Sequence, residues 1–146
     1  MDKLDFFKQM MQQGVGITDE DFATYISFPR NLELAETTPR FMQCKVVCEV
    51  AEAKYCTAGL KKGQKYVLQA LPAVLLSKPE ECPVCVRALA PIGEKLGEIW
   101  GDIAQGKTDG VYTVECMDPG VEKGGLGNVI FTIRVESAGV PTARSI

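Results

Sequence analysis

The chain has 146 residues, 46% of them hydrophobic and 24% charged, enough to bury a single globular core. Its net charge is -3, and no basic stripe with interleaved aromatics occurs, which argues against nucleic acid as a partner. The longest apolar run, Ala70 to Leu76, is too short to span a bilayer, and residues 1–13 carry no apolar signal core. The expected address is therefore cytoplasmic, with no membrane partner.

In chain order, Leu4, Phe7, Met10 and Met11 recur at helical spacing, and Gly14 and Gly16 end that helix. Thr18 reads as the N-cap of a second helix, with Asp19, Glu20 and Asp21 in its first turn and Phe22, Tyr25 and Ile26 on its apolar side. Pro29 and Pro39 are expected to bound an irregular connector. Residues 1–40 thus read as a helical arm. It packs against its own domain or a sister subunit, or it serves as a plain protein-interaction module.

Phe41 to Val50 alternates as a strand. Met42, Cys44, Val46, Cys48 and Val50 share one face, and Gln43, Lys45 and Glu49 share the other. Cys44 and Cys48 are then about 13 Å apart and cannot share a metal, so both read as buried core thiols. Tyr55 to Gly59 is a loop, Lys62-Gly63-Gln64 is a turn, and Lys65 to Leu71 is a second strand stopped by Pro72. Pro83 suits a first helical position, which would make Cys82 the N-cap. Val86, Leu89, Ile92, Leu96, Ile99, Trp100 and Ile103 continue as a helical stripe with a kink expected at Pro91. Gly93, Gly97 and Gly101 weaken this helix unless they admit a neighbouring backbone.

Val111 to Met117 and Val129 to Glu136 both alternate and are expected to pair antiparallel across the loop from Asp118 to Asn128. Residues 137–146 lack pattern and read as a flexible tail. The order of elements predicts an α+β fold. An antiparallel sheet of about four strands is covered by one central helix in a single domain over 41–136, with the helical arm before it. A homo-oligomer is the expected assembly.

The chain has six cysteines and no histidine. In a reducing compartment disulfide staples are disfavoured, and metal or catalytic roles gain weight. Cys82 and Cys85 stand at chelating spacing, and Cys56 and Cys116 are their only plausible companions, so these four form the candidate metal set. Zinc or an iron–sulfur cluster is the corresponding cofactor.

Cys82-Pro83-Val84-Cys85 also resembles the active-site motif of glutaredoxin- and thioredoxin-like proteins, with Cys82 attacking and Cys85 resolving. No βαβ unit surrounds it here. Gly124 to Gly127 could turn backbone amides toward an anion, although the loop leads into a strand and ordinary hairpin-loop chemistry competes. Asp118 could serve as an acid or base beside a Cys116 nucleophile, or belong simply to an Asp-Pro-Gly turn. All six cysteines could equally be small buried hydrophobes.

Cys44 on the first strand, Cys56 before Gly59 and Gly63, a helix-start cysteine at 82 or 85, and Cys116 followed by Asp118-Pro119-Gly120 form a pattern. It resembles a family of small uncharacterised prokaryotic proteins, over about residues 41–136. The resemblance implies a compact cytosolic α+β domain with cysteines gathered near the helix start, and it brings no activity with it.

Overall fold

The computed structural model describes residues 2–137. Helix α1 (Lys3–Val15) begins behind Asp2, whose carboxylate accepts the Asp5 N–H, and ends at Gly16 in the left-handed conformation that glycine tolerates. Helix α2 (Asp19–Ile26) is capped by the Thr18 hydroxyl, which accepts the Asp21 N–H at 3.0 Å. Both helices match the spacing read from their apolar residues.

The connector expected between Pro29 and Pro39 is instead a third helix, α3 (Pro29–Met42). Pro29 occupies the first turn, where its missing N–H costs nothing. Pro39 lies inside the helix and is tolerated because its neighbours are anchored. Phe41 and Ala35 are fully buried, and Arg40 Nη1 donates to the Ile103 and Ala104 carbonyls. Packing here overrides propensity. Phe41 and Met42 accordingly belong to a helix, not to the strand that follows.

Strand β1 (Cys44–Lys54) is the spine of a four-stranded antiparallel sheet. β2 (Lys65–Gln69) lies on one side of it and β4 (Asn128–Ser137) on the other, with β3 (Val111–Glu115) outside β4. Cys44, Val46, Cys48 and Val50 face inward, all 1% exposed or less. A bulge between Val50 and Glu52 then shifts the phase by one residue, so that Ala53 packs inward and Glu52 and Lys54 face solvent. Tyr66, Leu68, Tyr112, Val114, Val129, Phe131 and Ile133 complete the inner face.

Helix α4 (Val86–Ala104) lies across that face through Ala88, Ile92, Leu96, Ile99 and Ile103. Trp100 Nε1 donates to the Ala70 carbonyl at 2.7 Å, and the Tyr112 hydroxyl donates to Asp102 at 2.6 Å, tying the helix to both halves of the sheet. Gly93, Gly97 and Gly101 have nothing within 4 Å of where a Cβ would stand, so close backbone approach is not their role. α3 packs along α4, and α1 and α2 pack on α3 around Phe7, Phe22 and Ala35. The expected α+β fold with a covered antiparallel sheet is therefore present. Ser137 closes β4, and the rest of the tail expected to be flexible, residues 138–146, lies outside the described residues. Among the described residues, no helix is long and apolar enough to cross a membrane.

Candidate thiol site

The four candidate ligands do not gather at one point. Cys56, Cys85 and Cys116 line a single cavity of about 60 Å³, together with Thr57, Arg87 and Asp118. Cys82 is not in that lining. It is 1% exposed and lies in the core with Cys48 and Tyr66. Among the described residues, no group of three or more Cys, Asp or Glu side chains is placed to hold a metal ion.

The reason Cys82 is set apart is the position of the helix start. α4 begins at Val86, and Cys85, not Cys82, is its N-cap, with no side-chain capping bond. The cause is Tyr66. Its buried hydroxyl donates to the Pro83 carbonyl at 2.6 Å and accepts the Cys85 N–H at 3.1 Å, tying residues 83–85 to β2, with Cys85 itself extended. Cys82 thus gains no helix terminus. Burial pushes its thiol up to about 11, and burial together with the nearby Cys82 sulfur pushes Cys48 up to about 12. These shifts run opposite to an activated thiolate, so the geometry does not favour Cys82 as an attacking nucleophile.

Cys116 follows β3 directly. Its N–H donates to the Val129 carbonyl at 2.9 Å, and its sulfur accepts the Val129 N–H at 3.4 Å. Cys56 sits in the loop after β1. Tyr55 before it adopts φ 58°, the left-handed region that an aromatic residue rarely occupies. The Tyr55 carbonyl lies so close to Gly127 that a Cβ there would overlap it. Cys56 is thereby tied to the same loop that follows Cys116.

That loop is organised around Asp118. Its Oδ1 accepts the Gly120 and Leu126 N–H groups at 3.0 and 2.9 Å, and its Oδ2 accepts the Gly127 N–H at 3.1 Å. Gly125 packs against the same carboxylate, leaving no space for a Cβ. The anion toward which these amides turn is therefore the chain's own carboxylate. The Gly124-to-Gly127 loop is a nest filled from within, and Asp118 is committed to the turn instead of being free for proton transfer. These three amides, with the Arg87 charge adding to them, hold the Asp118 carboxyl below the usual carboxylate value.

A carboxyl with a lowered folded-state pKa contributes stability that is present above the unfolded value of 3.8 and is lost as pH falls through the folded one. Asp118→Asn should therefore melt lower than the wild type near neutral pH. The gap between them should narrow as melting is repeated down to about pH 2. A gap independent of pH would show that the charge on Asp118 plays no part.

Arg87 and Tyr66 are the site residues that the pattern of cysteines did not suggest. A tyrosine on the inward face of a strand must find a partner for its hydroxyl, which was a usable signal. Arg87 stands in the first turn of α4, where a cation opposes the helix dipole, an oddity also visible in the sequence. The fold defines an α+β protein in which Cys56, Cys85 and Cys116 line one small cavity beside the start of α4. Comparison with protein-family models, with curated proteins and with solved structures gave no significant match.

Proposed function

We propose that this chain is a small metal-binding protein, and that Cys56, Cys85 and Cys116 take one thiophilic divalent ion of the zinc class as thiolates. The supporting observation is that Cys56, Cys85 and Cys116, from three separate segments, line one cavity of about 60 Å³. That volume holds only about four to six water-sized spheres, so it suits an ion and not a metabolite. A zinc–sulfur bond is about 2.3 Å, so binding requires the three sulfurs to draw closer together than they stand in the unloaded chain. An iron–sulfur cluster, which ordinarily takes four cysteines, fits less well because Cys82 is held elsewhere by the core.

Cadmium(II), added to the reduced full chain, is the probe. A thiolate-to-cadmium absorption band saturating at a single equivalent, with proton release, is the expected result. Cys56→Ser, Cys85→Ser and Cys116→Ser should each weaken or abolish it. Cys82→Ser should keep it, with circular dichroism confirming that the variant is folded. Failure to saturate at one equivalent, or loss of the band in folded Cys82→Ser, overturns the assignment.

A further inference from the structure

We infer that Pro91 is a positioning residue for this site, acting through a carbonyl that it leaves without an intrahelical partner. The inference rests on the three-thiol site proposed above and concerns how that site is assembled.

Pro91 is the sixth residue of α4, well inside the helix. In an α-helix the N–H of residue 91 would donate to the carbonyl of residue 87. Proline has no N–H, and its ring presses on that same carbonyl, turning it outward. The Arg87 carbonyl is not left empty. It accepts the Met117 N–H at 3.0 Å, while Arg87 Nη2 donates to the Met117 carbonyl at 3.2 Å. Main chain and side chain of Arg87 thus grip both polar groups of Met117.

Met117 directly follows Cys116, and Arg87 stands two residues after Cys85. This grip joins the segment leaving β3 to the first turn of α4, and Cys116 and Cys85 line the same cavity on either side of it. Pro91 contributes no atom to the cavity lining. A helix-breaking residue in the second turn of the 19-residue helix α4, whose freed acceptor is used by the strand-end segment carrying a candidate ligand, is explained by the site. The helix itself gains nothing from it, since proline is the least favourable residue at an interior helical position.

Pro91→Ala separates this role from a purely structural one, because the two predict opposite signs. Alanine restores the intrahelical bond to Arg87 and raises helix propensity, so the melting temperature should hold or rise. The Met117 N–H loses its acceptor. Its hydrogen exchange should speed up by about tenfold, the equivalent of one ordinary backbone hydrogen bond, while the Cys116 amide, bonded to Val129, stays protected. Cadmium(II) affinity should fall by a similar factor. Unchanged Met117 exchange, or faster exchange with unchanged cadmium affinity, overturns the positioning role. So does a variant that loses affinity only by losing stability. If wild type binds no cadmium, the metal reading fails, and Met117 exchange still decides whether Pro91 fixes this segment.

Discussion

Tyr66→Phe should destabilise the protein by about 1–3 kcal/mol while leaving its hydrophobic packing intact. The ring is fully buried and lies against Phe131 with centroids 5.7 Å apart, a contact that phenylalanine preserves. Only the hydroxyl is lost, and with it the acceptor of the Cys85 N–H and the donor to the Pro83 carbonyl. Each of those backbone groups is then short of a partner in a partly buried setting. The penalty comes from those unsatisfied groups more than from the lost bonds themselves. For a chain of this length the midpoint should drop by about 4–8 °C for a loss of 2 kcal/mol. Residues 83–85 lose the tether that keeps them extended, so the Cys85 sulfur is no longer held at the cavity and cadmium affinity should fall with stability. A melting curve matching the wild type would show that the Tyr66 hydroxyl does not set the start of α4.

Gly127→Ala should be as damaging, for a steric reason. An added Cβ would stand 2.7 Å from the Tyr55 carbonyl carbon and 2.9 Å from the Lys54 carbonyl oxygen, and would overlap the Tyr55 oxygen. All three atoms are backbone, so no flexible side-chain end can swing away. Forcing such a contact costs about 1–3 kcal/mol. Tyr55 already holds φ 58°, so relief comes by displacing residues 54–56 as a unit. That movement changes the position of Cys56 relative to Cys85 and Cys116. The same substitution disturbs the Gly127 N–H that Asp118 accepts. Cadmium affinity should therefore drop more than tenfold, beyond what Tyr66→Phe produces. Gly93→Ala is the matched control: its Cβ enters open space on α4, and it should stabilise by up to about 1 kcal/mol. Wild-type cadmium binding in folded Gly127→Ala would show that the contact with Tyr55 does not place Cys56.

The sheet and its covering helix were legible because their signals are local and periodic. The alternation of Cys44, Val46, Cys48 and Val50 gave the buried face of β1 directly, and both of its cysteines are core thiols. The bulge at Val50 to Glu52 carried no such signal, since it depends on the register with β4. α3 is not legible in the sequence, because two prolines are strong local punctuation and the burial of Phe41 and Ala35 that outweighs them is a tertiary property. Of the candidate site, Cys56, Cys85 and Cys116 were legible as residues but not as a group, and Cys82 was grouped with them on spacing alone.

The sequence by itself determined the α+β class, the pairing of the two C-terminal strands and the inward face of the first strand up to Val50, because side-chain alternation follows from strand geometry. It also left sulfur as the principal soft donor, since the chain has no histidine. Only the tertiary structure decided which cysteines line one cavity. The contacts that hold those segments are the Tyr66 hydroxyl with residues 83 and 85, the Arg87 carbonyl with the Met117 N–H, and the Tyr55 carbonyl against Gly127. Each is a contact between groups far apart in the chain, so no local pattern encodes it. The same holds for the glycine-rich loop, whose amides were free to suit any anion until the fold supplied Asp118.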